Sequence, residues 1–374
     1  MIDKLVLALA LLAVGFALGS IALWVVWRSK DTNKYRKLIA VTVFLTFDLI
    51  VFGGFTRLTD SGLGCPDWPG CYSEMNPLLA HEEIKAAEAA LPHGPVTVAK
   101  AWIEMIHRYL AMAVGMLIVA QVIVAWRMWY QNRHAQFAAS KQPKRSPWMA
   151  SFLLFFVCLQ GAFGAWTVTL KLQPIIVTTH LLLGLGLLSL LVWSLEREQT
   201  SLIKLTHRAS VLRILAPVAF VLLWMQIGFG GWVSTNYAAL ACTGYPTCNG
   251  VLLPDLDWEH AFHLWRKLGQ TAEGEYLPYS ALVTIQWVHR SFAWVAIFAV
   301  GSLAMILRSE PHLKILGNQV LAVLLLQFLT GVGTVYFNWP LALAVLHNAG
   351  AAMLVLMLTM INYRVRYSSS AQAA

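Results

Sequence analysis

The chain has 374 residues, of which 58% are hydrophobic and only 12% charged, and sixteen are tryptophan. A soluble domain carries about 25% charged residues, so the composition excludes an ordinary soluble protein and describes one that lives in a bilayer. The net charge of +9 is confined to alternate loops, which assigns it to membrane topology and excludes nucleic acid as a partner.

Nine apolar stretches approach or exceed the ~20 residues needed to cross a bilayer: 4–27, 38–56, 101–126, 148–169, 174–195, 211–235, 281–307, 314–336 and 340–363. The first reads as a retained anchor, because its apolar run is long and ALWVVWRSK offers no small-residue cleavage site. No chemistry is assigned to it. The second carries Asp48 and ends in VFGGF, and the loop 57–100 behind it holds Cys65 and Cys71. The third contains EMIHR, with Glu104, His107 and Arg108. The fourth carries QGAFGAW and Cys158, read as a small core residue. The fifth places His180 six residues after Pro174. The sixth carries QIGFGGW, and the loop 236–280 beyond it holds Cys242 and Cys248. The seventh contains QWVHR with His289 and Arg290, the eighth QFLTGVG, and the ninth His347, seven residues after Pro340.

The loops 28–37, 127–147 and 196–213 and the tail with Arg364 and Arg366 are basic, whereas 57–100 and 236–280 carry acidic residues. The positive-inside rule then puts the N-terminus and both cysteine loops in the periplasm and the C-terminus in the cytoplasm. The N-terminus lacks the Arg- and Ser-rich character of a transit peptide, which points to a bacterial inner membrane. An oxidising compartment permits disulfides. The pairs Cys65/Cys71 and Cys242/Cys248 are therefore read as disulfides, structural or redox-active, rather than as zinc ligands.

The sequence repeats itself. Placing VFGGF on GFGGW gives an offset of 177 residues, and the same offset takes Cys65 to Cys242 and Cys71 to Cys248. The expected fold is an all-α integral membrane protein with nine transmembrane helices, arranged as two parallel four-helix-bundle repeats plus one extra N-terminal helix. The expected divisions are 1–37 (anchor helix and cytoplasmic loop), 38–200 (N-terminal half) and 201–374 (C-terminal half). The glycines of the repeated motifs allow either close helix packing or the approach of a flat macrocycle to the backbone.

His107, His180, His289 and His347 recur in register, two in each half. Ionisable groups in a membrane are costly and usually functional, and imidazole is a common haem-iron ligand. The four suggest two bis-histidine haem sites, one per half. The other seven histidines (His81, His93, His134, His207, His260, His263 and His312) lie in loops or at helix ends and receive no role. The halves differ at one informative place, where Glu104, three residues before His107, corresponds to Gln286 before His289. The half with the acid is read as the reaction site, with Glu104 in a catalytic or substrate-positioning role. Arg108 and Arg290 suit either haem propionates or headgroups. Asp48, with Met225 as its counterpart, suits either proton handling or a packing hydrogen bond.

The run GGFTRLTDSGLGCPDWPGC, the EMIHR motif and the four spaced histidines together resemble the haem A synthase family of the CtaA type. The resemblance covers about residues 38–363 and leaves out the first helix. It implies an oxidoreductase that converts the C8 methyl group of haem O to the formyl group of haem A. It further implies haem b as cofactor, with iron ligated by His289 and His347, and haem O as substrate at His107 and His180, with Glu104 needed for activity. The cysteine pairs match the two cysteine loops of that family. The implied partners are membrane lipid, haem O synthase and the assembly factors of terminal oxidases. Two rivals differ in class: a di-haem electron-transfer cytochrome, against which Glu104 and the outward cysteine loops argue, and a transporter, which has no reason to align four histidines. Pigment analysis separates the three.

Overall fold

The computed structural model describes residues 2–134, 146–199, 203–205 and 208–370. Lys141, Lys144 and Arg145 of the second basic loop, and His207, lie outside the described residues. Among the described residues nine helices are long and apolar enough to cross a membrane. They are α1 (Ile2–Arg28), α2 (Lys34–Leu58), α4 (Val98–His134), α5 (Trp148–Thr169), α6 (Pro174–Arg197), α7 (Ala209–Thr235), α9 (Tyr279–Leu307), α10 (Lys314–Tyr336) and α11 (Leu341–Arg366). Two short helices, α3 (His81–Ala90) and α8 (Trp258–Ala261), lie in the cysteine-bearing loops, and the two-residue strands β1 (Lys204–Leu205) and β2 (Ser369–Ser370) pair in parallel.

Local chemistry sets the ends of these helices. Pro174 opens α6 and Pro340 is the N-cap of α11, positions that suit a residue with fixed φ and no N–H. Arg28, Arg197, Arg364 and Arg366 stand in the last turns of α1, α6 and α11, where a cation meets the helix dipole and the headgroup layer. Much of each span is exposed, as Phe44, Ile123, Phe155, Phe298 and Leu325 show. In a bilayer the outer surface needs no polar cover. This corrects the reading of Cys158 as a core residue: it is exposed, because a lipid-facing position suits a small apolar side chain as well as a core does.

The chain forms two compact units. The first comprises Met1–Thr56, Asp60–Thr169 and Gly186–Glu198, and the second Arg57–Thr59, Leu170–Leu185 and Gln199–Ala374. His107 thus belongs to the first unit, and His180, His289 and His347 to the second.

In the first unit α4 is the central element, packed by α1, α3 and α5. The helix α1 lies directly on α4 through Gly15 and Gly19, where an added Cβ would stand 2.6 Å from Met112 Cβ and 3.3 Å from Met116 Cβ. This is a small-xxx-small seam, the usual way for membrane helices to approach closely. Farther along, Val26 joins Leu38 of α2 and Leu117 of α4 in a buried cluster. Gln121 of α4 donates to Thr42 Oγ1 of α2 at 2.9 Å. The other end of α1 brings Leu7 and Leu11 against Cys65, Cys71 and Met105. The first helix is therefore more than an anchor, since it covers the first cysteine loop.

In the second unit α7 packs on α9, α9 on α10, α10 on α11 and α11 on α7. The four helices close a ring, and α9 and α11 stand on its diagonal. Asn362 of α11 donates to Ala216 O of α7 at 3.1 Å, fastening one seam of that ring.

Candidate functional site

Both cysteine pairs are disulfides, Cys65–Cys71 and Cys242–Cys248. Each closes a small loop that folds onto the helix after it in the same way. Cys71 and Glu74 exchange backbone hydrogen bonds at 2.9 and 3.0 Å, and Cys248 and Val251 do so at 2.8 and 3.2 Å. Arg108 Nη1 donates to the carbonyls of Asp67, Pro69 and Gly70, at 3.1, 3.2 and 2.5 Å. Arg290 donates to the carbonyls of Gly244, Thr247 and Cys242, at 2.8, 3.3 and 2.6 Å. Gly244 and Thr247 are the repeat equivalents of Asp67 and Gly70. Neither arginine is a headgroup-seeking side chain. Each pins a disulfide loop by its carbonyl oxygens.

The acid and the amide divide at this clamp. Glu104 is buried at 4% exposure, so it is not a solvated residue at a helix start. Its Oε1 pairs with Arg108 Nη2, and its Oε2 accepts the backbone N–H of Cys65 at 2.8 Å. One carboxylate thus ties the arginine, the disulfide loop and α4 together one turn before His107. Gln286, equally buried, donates through Nε2 to Ala239 O at 2.9 Å. Arg290, without a carboxylate at that position, turns Nη2 to Cys242 O instead. The same corner is built once around a charge and once around an amide.

Each of three histidines meets a glycine of the neighbouring helix edge-on. A Cβ built at Gly53 would lie 2.9 Å from His107 Cε1, one at Gly230 2.9 Å from His289 Cε1, and one at Gly331 2.9 Å from His347 Cε1. Real Cβ atoms do not approach so closely, so a side chain at any of the three would displace the imidazole. The imidazole itself is what these glycines admit. The adjacent Gly231 serves helix packing, its would-be Cβ 3.1 Å from Leu181 of α6. Phe52 also stacks on His107, with ring centroids 6.3 Å apart.

His289 on α9 and His347 on α11 are half-buried on the diagonal of the closed ring. Their inner neighbours are polar. Gln226 Nε2 lies 3.1 Å from His289 Nδ1 and 3.1 Å from His289 O. Thr330 Oγ1 lies 3.1 Å from His347 Nδ1, and Gln327 Nε2 3.4 Å from His347 Nε2. Two imidazoles on facing helices, each with an edge-on glycine contact and a polar group at Nδ1, fit a bis-histidine haem. The carboxamide oxygen of Gln226 is buried with no hydrogen-bond partner beside His289. His180, half-buried on α6, sits six residues after Pro174, as the sequence indicates. Asp48, midway along α2, is exposed, and no hydrogen bond to another described residue holds it, which removes the packing-bond reading.

The sequence reading singled out the glycines of the repeated motifs and passed over their glutamines. Gln226 and Gln327 each stand four residues before the glycine that meets an imidazole. The recurrence of Gln in QGAFGAW, QIGFGGW and QFLTGVG was the available signal. Thr330 left none, because a membrane threonine usually bonds only its own helix.

The profile of the COX15-CtaA family, described as cytochrome oxidase assembly protein, matches residues 36–359. A protein of Shewanella oneidensis named "Heme A synthase" is 37% identical over 336 residues, 89% of this chain and 97% of its own length. Proteins of the same name from Caulobacter vibrioides and Rhizorhabdus wittichii are 28% and 26% identical, covering 91% and 87% of this chain and 98% and 92% of their own. The match takes in both disulfide loops, all four histidines and Glu104, and it begins after α1. On these grounds the chain belongs to the COX15-CtaA family of cytochrome oxidase assembly proteins.

Proposed function

We propose that this protein is a haem A synthase, a multi-pass membrane oxidoreductase that converts the C8 methyl group of haem O to a formyl group. The observation that carries this is the edge-on seating of His107, His289 and His347 on glycine, with the last two diagonal on a closed four-helix ring. Relatives named heme A synthase that match nearly the whole chain favour this reading over a di-haem cytochrome.

In this reading His289 and His347 hold haem b in the C-terminal half, 201–374, while His107 and His180 hold the iron of haem O in the N-terminal half, 38–200. Haem b, when bound, supplies a one-electron carrier. The chain's own part is ligation, orientation and exclusion of side reactions. Oxidation of a methyl group to an aldehyde removes electrons in two two-electron steps, hydroxylation and a second oxidation to a gem-diol that loses water. Glu104 serves the first site as a positioning residue: both its oxygens are engaged, and they join Arg108 and the Cys65 backbone to the helix turn before His107. The disulfides staple the two loops. The alternation of basic and acidic loops supports insertion in a bacterial inner membrane with the N-terminus and both disulfides periplasmic. Haem O synthase and oxidase assembly factors are the partners this activity would meet.

Reconstitution of the purified protein with haem O, followed by pigment analysis, tests the proposal. Haem A should accumulate beside retained haem b. Haem b alone, with haem O unchanged, would indicate an electron-transfer cytochrome instead. His289→Ala or His347→Ala should each abolish the low-spin bis-histidine spectrum, and a full haem b complement in both would sink the ligand assignment.

A further inference from the structure

We infer that Gln226 and Thr330 are positioning residues that decide which nitrogen of His289 and His347 is offered to iron, and how strongly it donates. This rests on the reading that these two histidines ligate haem b. A histidine bound to iron through Nε2 carries its proton on Nδ1, and that N–H needs an acceptor. The acceptor orients the ring and raises the basicity of the ligand.

His347 finds its acceptor in Thr330, whose Oγ1 lies 3.1 Å from Nδ1. The threonine hydroxyl already donates to Leu326 O at 2.8 Å. Its oxygen has only lone pairs left for the imidazole, which fixes the Nδ1–H tautomer. Nε2 then faces the Gln327 amide at 3.4 Å, a long contact that iron would replace. His289 has the Gln226 amide at Nδ1, 3.1 Å away, with the carboxamide Oε1 buried and unpartnered. As placed, the amide nitrogen also donates to His289 O at 3.1 Å; a half-turn gives up that bond and delivers Oε1 to Nδ1–H, the pairing that ligation through Nε2 demands. Leu49 occupies the repeat position of Gln226. The helix therefore packs without an amide there, and the glutamine answers to the histidine rather than to the fold.

The midpoint potential and low-spin spectrum of haem b in the purified full-length protein read this directly, because hydrogen bonding to an axial ligand is one of the levers on haem potential. Gln226→Glu supplies a stronger acceptor and should shift the potential down. Gln226→Leu removes the acceptor and should shift it up. Thr330→Val should also shift it up, and Thr330→Ser should return it to the wild-type value. Loosened packing does not produce opposite signs at one position, nor rescue by a hydroxyl. Shifts of the same sign in both Gln226 variants, or a Thr330→Ser protein as perturbed as Thr330→Val, would overturn the inference. If Gln226→Leu sheds its haem, the Gln226→Glu shift and the Thr330 pair still decide. A wild-type protein without bis-histidine haem b would instead overturn the ligand reading beneath it.

Discussion

The two disulfide corners are the same piece of architecture with different chemistry at its centre. In both, an arginine after the first histidine of the repeat gathers the carbonyls of a six-residue-spaced disulfide loop. In the first, a buried carboxylate completes the clamp. In the second, a neutral amide replaces it, and the arginine's Nη2 takes the Cys242 carbonyl where its counterpart takes the carboxylate. The covers differ too. Leu7 and Leu11 of α1 lie over the first disulfide. Trp287, the repeat equivalent of Met105, packs on the second and donates from its indole to Leu252 O at 2.9 Å. A buried ion pair is a poor way to gain stability, since desolvation offsets most of the attraction. The second corner shows that the loop can be held without one. A charge at Glu104 is thus not needed to hold the loop, which supports the positioning role proposed for it beside His107.

Glu104→Gln is the sharpest way to break this comparison, because it gives the first corner the residue type of the second. An amide cannot accept from both Arg108 and the Cys65 N–H, so at least one bond to a charged group is lost. At about 1.5–3 kcal/mol for such a bond, the rate of haem A formation should fall by roughly ten- to hundredfold. Haem b bound through His289 and His347 should be untouched. An unchanged rate would make Glu104 a residue of the fold alone, and joint loss of haem b would show that the two sites are not separable.

The glycine contacts give a crossed pair of somewhat smaller effects. Gly230→Ala puts a methyl carbon 2.9 Å from His289 Cε1, and Gly53→Ala does the same to His107. Overpacking of this kind costs about 1–3 kcal/mol, although alanine is the better helix former by about 1 kcal/mol. Gly230→Ala should weaken haem b retention. Gly53→Ala should slow haem A formation with haem b in place. Reversed outcomes, scored by pigment content and product yield, would exchange the roles assigned to the two halves.

Much of this is legible in the amino-acid sequence. The apolar runs gave nine spans, all but one to within a few residues, because length and hydropathy are what a bilayer selects; α4 runs on to His134, past the expected end at 126. The 177-residue offset foretold the matched disulfide loops. What stayed hidden was contact. Nothing in EMIHR says that its arginine turns back to a loop some forty residues upstream, and a glycine spacing does not reveal whether a helix, a ring or a macrocycle lies against it. The contacts of the first helix stayed hidden for a similar reason: lying outside the repeat, it had no counterpart to compare. Its seat on the first disulfide emerges only from Gly15, Gly19, Leu7 and Leu11 together.

That seat yields a third difference. In the intact protein, thiol labelling without reductant should modify Cys158 alone, the one free cysteine. Removing α1 (residues 2–28) should uncover the Cys65–Cys71 loop and make it several-fold quicker to reduce, since burial of Leu7 and Leu11 is lost at about 25 cal/mol per Å². Cys242–Cys248 should reduce at its usual rate. Equal acceleration of both bridges would mean that α1 stabilises the protein in general and does not cover one loop.

The smallest effect is the mirror of that one. Trp287→Leu keeps an apolar side chain over the second disulfide but removes the indole donor to Leu252 O, a bond of about 0.5–1.5 kcal/mol. Reduction of Cys242–Cys248 should quicken by about two- to tenfold, with Cys65–Cys71 unaffected. Arg290 still holds three carbonyls of that loop in the variant, so the bridge should form and haem b should remain bound. The informative comparison is between the two lesions: α1 removal loosens only the first loop, and Trp287→Leu only the second. If Trp287→Leu instead left both bridges at their wild-type rates, Arg290 alone would account for the second clamp. The tryptophan would then be a lipid-facing residue rather than the counterpart of a helix.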